Sequence, residues 1–328
     1  MPRPTARAHR PLLALAAAAA VALPLAGCAS AAKNAGQAAP AADTVRFNTS
    51  PDQHRYTSPE VASIASEVPA AIRAKGTLDI VDSSGSAAPL DFYATDDRTV
   101  IGVEPDIAYA VAGVLGLKPV YHPVAWAQIF VGLDSGKYDV GFSNITDTEL
   151  RKQKYDFATY RKDDIAFEAL RTATWRVRGP KDVAGRTIAV DSGTNQEKLL
   201  VEWSAEDVKA GLKPVDIKYY QDNSAVYLAL QSGQIDAYLQ PNPTAAYHVS
   251  TSGQTKVVGT LSGAGARLQG LIAATTKKGD GLVKPLGDAL NELIRTGVYG
   301  EILKRWGLSD EAVTASRINP PGLPLDDR

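Results

Sequence analysis

The residues best suited to chemistry in this chain are Ser143-Asn144-Ile145-Thr146-Asp147-Thr148-Glu149-Leu150-Arg151. Ser143 and Thr146 can donate hydroxyl hydrogen bonds, and Arg151 offers a planar fork of N–H donors that matches the two oxygens of a small carboxylate. Thr148 or Asp147 can cap a helix that follows. A second reading of the same residues stays open, in which a capped surface helix lets Arg151 pair with Asp147 four residues back.

The elements that must position this segment follow an α/β rhythm from about residue 77, with short apolar runs alternating with helical-period stretches. Strand candidates are Leu78–Val81, Pro119–Tyr121, Asp139–Phe142, Thr187–Val190, Ile217–Tyr220 and Asp236–Leu239. Ile107, Val111, Val114 and Leu115 form one apolar helical face, and Leu282, Leu286, Leu290, Leu293 and Ile294 another. One pattern occurs twice: Leu133-Asp134-Ser135-Gly136-Lys137-Tyr138-Asp139 is echoed 97 residues later by Leu230-Gln231-Ser232-Gly233-Gln234-Ile235-Asp236. Each copy reads as a helix end, a glycine stop and a strand start. Such joints are common in α/β folds, but each copy also leads into an apolar strand and a further helix start, which favours two related lobes. In open α/β sheets ligands gather beyond the carboxyl ends of strands. The segment ending in Arg151 and the segment Gln240-Pro241-Asn242-Pro243-Thr244 would then face one cleft. Asp191-Ser192-Gly193-Thr194-Asn195-Gln196-Glu197 is a third candidate wall, where Ser192 or Thr194 can cap a helix and free N–H groups can attract an anion. Trp126 opens the helix before the first repeat copy and reads either as core or as a ligand platform.

Arg3, Arg7 and Arg10 followed by the apolar run Leu12–Leu25 form an export signal over residues 1–27. The run is shorter than the roughly 20 residues that a spanning helix needs. Cys28 is the only cysteine, which excludes a disulfide framework or thiol pair. Behind Leu25-Ala26-Gly27 it resembles the lipobox of bacterial lipoproteins. That resemblance implies cleavage before Cys28 and an anchor on the outer face of the plasma membrane, stable with two or more acyl chains. Residues 28–58, rich in Ala, Asn, Gln, Pro, Ser and Thr, read as a disordered tether. The chain has 35 basic and 36 acidic residues, so removing the three signal arginines leaves it about four negative. Nothing there points to nucleic acid. About 260 residues remain, more than one core usually holds. His9, His54, His122 and His248 form no ligand or triad spacing, and no phosphate or dinucleotide loop follows a strand. No metal or cofactor is expected.

In order, Gly102-Val-Glu-Pro-Asp106, Trp126 to Asp139, Ser143 to Tyr160, Asp182 to Val190 with Ser192-Gly-Thr194, Leu228 to Asp236, and Gly297 to Gly307 resemble the polar amino-acid-binding family (family 3) of bacterial ABC-transporter solute-binding proteins. The Pro69–Leu78 lead-in and Asp147-Thr148 look most like lipid-anchored actinobacterial members. The resemblance implies a two-lobed periplasmic-binding-protein type II fold. Lobe 1 would span residues 68–160 plus 270–320 and lobe 2 residues 166–265, with hinge crossings near Arg161–Ile165 and Gly265–Gln269. It also implies capture of a carboxylate-bearing solute by closure of the lobes and delivery to an ABC permease, by a protein expected to be a monomer and not an enzyme. Arg151 would hold the carboxylate, helped by Thr146 and Thr194. Ser143 would line the floor, Trp126 would contact the ligand body, and Gly193, Gln240 and Asn242 would complete the walls. Two family features are absent. Pro241 stands where many members place an aspartate for the ligand's α-ammonium, and Leu90 stands where many place an aromatic, before Asp91-Phe92.

Two other functions share these features. A cell-surface dehydratase or hydrolase of a small carboxylic acid needs a positioned acid, base or nucleophile in the cleft. A surface sensor would capture the same ligand for a receptor in place of a permease.

Overall fold

The structure, a computed structural model, describes residues 47–83, 87–220 and 222–325. The export signal, Cys28 and most of the expected tether lie outside the described residues. Among the described residues the strands are β1 (Thr77–Asp82), β2 (Phe92–Tyr93), β3 (Val100–Ile101), β4 (Lys118–Pro123), β5 (Val140–Gly141), β6 (Tyr155–Leu170), β7 (Thr187–Val190), β8 (Asp216–Tyr219), β9 (Ala237–Pro241), β10 (Thr255–Ser262) and β11 (Gly270–Lys277). All six strand candidates from the sequence are strands here, shifted by two residues at most.

β2 and β3 form a small hairpin, and the other nine strands form one sheet in the order β4-β1-β5-β11-β6-β9-β7-β8, with β10 also on β6. Parallel strands make up both ends: β1 between β4 and β5, and β7 between β8 and β9. These two triplets have the same topology, with the earliest strand central and the third strand toward β6. The repeated segment precedes that third strand in each, and its chemistry explains the repetition. Gly136 and Gly233 stop their helices at φ 70° and 73°, a left-handed turn that glycine adopts without strain. Asp139 then accepts from the Asp79 N–H at 2.7 Å, and Asp236 from the Thr187 N–H at 2.8 Å. Each aspartate clips its own strand to the central strand of its triplet.

β6 is sixteen residues long and joins the triplets. It pairs with β11 from Tyr155 to Asp163, then with β10 from Asp164 to Leu170, while β9 lies along Ile165–Glu168. Separate apolar cores cover the two halves. The first holds Leu78, Ile80, Ile107, Val111, Leu286, Leu290 and Trp306; the second holds Ile165, Phe167, Ile188, Leu199, Leu239 and Val258. The helices Val103–Val114 and Val283–Thr296 bury the faces read from the sequence. Where β6 changes partner, fully buried Arg161 pairs with Glu104 at 2.7 Å and with Glu311, and Tyr160 donates its hydroxyl to Glu104.

Residues 47–58 depart from the tether expectation, because polar and aromatic side chains there find partners on both halves, chiefly the first. Arg55 pairs with buried Asp106 and lies 4.5 Å from the Tyr109 ring centroid. Gln53 is buried and accepts from Arg305, while Phe47 stacks on Tyr247 and meets Trp306 at a tilt. Among the described residues no helix is long and apolar enough to cross a membrane.

Candidate functional site

A cavity of about 950 Å³ opens beyond the carboxyl ends of β1, β5, β7 and β9. Ser83, Asp91, Tyr93, Trp126, Phe130, Ser143 and Asn144 line it from the first half of the sheet; Asp191, Gly193, Thr194, Gln196, Tyr220, Tyr238, Gln240 and Thr244 line it from the second. The strand-end rule and the triplet topology account for this placement.

Five residues singled out from the sequence, Ser143, Trp126, Gly193, Thr194 and Gln240, stand on the wall. Trp126 is the first residue of the helix Trp126–Ser135, meets the Phe130 ring edge-on, and has a buried indole N–H with no partner. Gly193 takes φ 77°, and a Cβ there would touch the Trp126 indole nitrogen at 3.7 Å. Thr194 caps the helix Asn195–Lys209 by accepting from Glu197 N–H at 3.1 Å, and its own proton goes to Asp191 O. The Gly193 N–H donates to Glu197 at 2.5 Å, so the anion at this turn is the chain's own third helical residue, a local capping arrangement.

Three expectations change. Ser143 does line the cavity, but its hydroxyl proton is given to Asp91 at 2.8 Å while its oxygen accepts the Ser83 N–H at 2.9 Å. Thr146 is buried off the wall and donates to Asp163 at 2.8 Å, because that buried carboxyl also requires donors. Asn242 sits half-buried at the start of the helix Asn242–Ser252 and is not on the wall, although Pro241 and Thr244 are.

Arg151 begins a single 3₁₀ turn, not an α-helix, and its backbone N–H is capped by Thr148 at 3.1 Å. The expected alternative pairing with Asp147 is absent; Lys152 approaches that carboxylate, at 3.4 Å. The guanidinium lies behind the cavity wall, 5.4 Å from the Trp126 and 5.1 Å from the Phe130 ring centroids. It donates to Thr146 O at 2.9 Å in the first half and to Gly193 O at 3.2 Å in the second. Among the described residues no carboxylate lies within ion-pair distance of it. Burial therefore pulls its pKa down to about 10, opposed by the fields of Asp163, Tyr155 and Asp147. A half-buried cation that bonds only carbonyls is a ready receptor for a carboxylate.

Asp91 is buried and near Asp82 and Glu104, so burial and then like charge push its carboxyl well above the usual range. Asp163 rises to about 6 through burial, opposed by Thr146. It bridges the halves, since Asn195 at the start of the second-half helix also donates to it, at 3.0 Å.

With this geometry in place, the family model for bacterial extracellular solute-binding proteins, family 3, matches residues 80–309. The chain belongs to that family. Among the relatives of this solute-binding protein, the L-cystine-binding protein TcyJ of Escherichia coli (strain K12) is 29% identical over 236 residues, covering 72% of this chain and 84% of TcyJ. The arginine-binding protein ArgT of Corynebacterium glutamicum is 28% identical over 280 residues, covering 83% and 88%. The crystal structure of the ancestral amino acid-binding protein AncCDT-1, a precursor of cyclohexadienyl dehydratase, superposes with a TM-score of 0.60 at 24% identity, covering 72% of this chain and 97% of that one. The solute-binding protein thus has the type II periplasmic-binding fold.

Sequence reasoning placed Asp191 and Gln196 only within the third candidate wall, with no role of their own, and did not single out Tyr93, Tyr220 or Tyr238 as site residues; all five are on the wall. For Tyr238 a signal existed: in a strand it shares a face with Gln240, two residues on.

Proposed function

We propose that this protein is the extracytoplasmic substrate-binding component of an amino-acid ABC importer. The two halves act as lobes, the ligand's carboxylate replaces Gly193 O on Arg151, and Trp126, Ser143, Gly193, Thr194 and Gln240 enclose its body. A ligand that touches both lobes favours the closed form in proportion to its differential affinity, and a permease reads that closure. The observation that carries this reading is a half-buried guanidinium that bonds both halves and, among the described residues, pairs with no carboxylate, in a member of a solute-binding family. Relatives named for cystine and arginine support amino acids as the ligand class. Cys28 carries the lipid that holds the monomer on the outer face of the plasma membrane.

Isothermal titration with the twenty amino acids and L-cystine tests ligand capture: at least one binds, and Arg151→Ala loses it. Binding unchanged in that variant would remove the reading. Palmitate labelling that persists in Cys28→Ala would remove the anchor. A second reading, an enzyme on this scaffold, draws on the buried Asp91 carboxyl in the cavity, whose pKa burial raises, and on the structural likeness to a dehydratase precursor. Product formed from a bound carboxylic acid, and lost in Asp91→Asn, would favour it.

A further inference from the structure

An amino acid brings a cation as well as a carboxylate, and burying that cation unpaired would be strongly unfavourable. The position expected to receive it holds Pro241, which has neither charge nor N–H. Among the described residues the cavity wall includes only two acidic residues, Asp91 and Asp191, and no lysine, arginine or histidine. Asp91 is buried and its carboxyl already accepts the Ser143 hydroxyl at 2.8 Å, and burial with the fields of Asp82 and Glu104 pushes its pKa up, which disfavours the charged form there. Asp191, at the end of β7, is half-buried on the wall. Its carboxylate accepts from the Tyr238 hydroxyl at 3.2 Å and, among the described residues, meets no cation within ion-pair distance. Burial raises its pKa and only the Tyr238 hydroxyl bond opposes the rise, so a cation placed beside it would stabilise the charged form.

The surrounding polar atoms point the same way. Gln240 is buried, and its amide nitrogen donates to Glu168 at 2.5 Å and to the Tyr227 hydroxyl at 3.1 Å. Because a carboxylate can only accept, Glu168 fixes the amide orientation and leaves Gln240 Oε1 as an acceptor with no partner. Gln196 Oε1 and Thr244 Oγ1, on the same wall, are likewise buried and unpartnered.

Resting on the amino-acid reading above, we propose that Asp191 is the anionic hold for a cationic, N–H-bearing nitrogen of the ligand, with Gln240 Oε1 accepting beside it. The carboxylate then goes to Arg151 and the nitrogen to Asp191, on either side of the Asp191–Thr194 turn. A quaternary nitrogen satisfies the charge but leaves the acceptors empty, so the cavity discriminates against it.

Isothermal titration of the purified protein with the twenty amino acids, L-cystine and glycine betaine tests this assignment. The tightest amino acid should bind at least about tenfold better than glycine betaine, and Asp191→Asn should weaken it by about 10- to 100-fold. Tyr238→Phe, which removes the donor and keeps the charge, should change affinity by less than about threefold, and the ligand-free unfolding midpoint of Asp191→Asn should not fall. An amino acid bound equally well by wild type and Asp191→Asn would overturn the role of Asp191 alone, as would glycine betaine binding as tightly as the best amino acid. A wild-type protein that binds none of the amino acids or cystine would overturn the amino-acid reading itself.

Discussion

Replacing Arg151 with methionine separates a carboxylate-holding role from a structural one. Burial pulls the guanidinium's pKa down from its ordinary value to about 10 in the ligand-free protein. A base whose folded pKa lies below its unfolded value binds fewer protons when folded, so stability rises as pH climbs through that window and the full destabilisation is present below it. At about 1.4 kcal/mol per unit this is on the order of 3 kcal/mol near neutral pH. Against it stand the two bonds to Thr146 O and Gly193 O, together about 3 kcal/mol at roughly 1.5 for each charged donor. The two effects nearly cancel. Arg151→Met should therefore shift ligand-free stability by no more than about 1 kcal/mol, or roughly 2–4 °C in the unfolding midpoint. Affinity has no such cancellation: losing the charge-assisted bond to the ligand should weaken binding by about 10- to 100-fold. Scanning calorimetry and isothermal titration on the same samples give both quantities. A midpoint drop worth more than about 3 kcal/mol with unchanged affinity would refute the reasoning and make Arg151 a strut between the lobes.

Other perturbations address the scaffold. Arg161→Met strands Glu104 and Glu311 in the core and should destabilise the fold by about 3–5 kcal/mol in urea melts. Asp147 has both oxygens buried without a hydrogen-bond partner, and burial, opposed chiefly by Lys152, lifts its pKa to about 7. Its folded form holds the proton more tightly than the unfolded chain, so stability falls as pH rises from about 4 to about 7. Asp147→Asn should accordingly stabilise more at pH about 8 than at pH about 4, by on the order of 1–3 kcal/mol, in urea melts at the two pH values. Gly102 has φ 134°, and a Cβ there would lie 2.0 Å from Leu90 O; Gly102→Ala should lower stability by at least about 2 kcal/mol by denaturant midpoint. Glu168→Gln removes the group that orients the Gln240 amide, and should weaken the ligand by about 3- to 10-fold in titrations.

The fold was largely readable because its signals are local. Helix stops at Gly136 and Gly233 and the aspartates three residues after them repeat because each triplet needs the same joint and the same strand clip. Cavity placement followed from strand ends, which brought Ser143, Trp126, Gly193, Thr194 and Gln240 to one wall. What the sequence did not disclose is pairing between distant residues. Thr146 gives its hydroxyl to Asp163, and Ser143 to Asp91, because buried carboxyls claim nearby donors wherever the fold sets them. The packing of Gln53 and Arg55 was hidden for a related reason: their partners, Arg305 and Asp106, lie far along the chain, and composition reports only a polar segment. Asp191 sits in a short turn whose sequence alone is ordinary.

The central claim is that the cavity captures an amino acid through Arg151, and a thermal-shift series with wild type and Arg151→Ala tests it most directly. An amino acid at 100 times its dissociation constant should stabilise the wild type by about 2.7 kcal/mol, and the same concentration should leave Arg151→Ala nearly unshifted. An equal shift in both proteins, or no shift with any amino acid, would contradict the account.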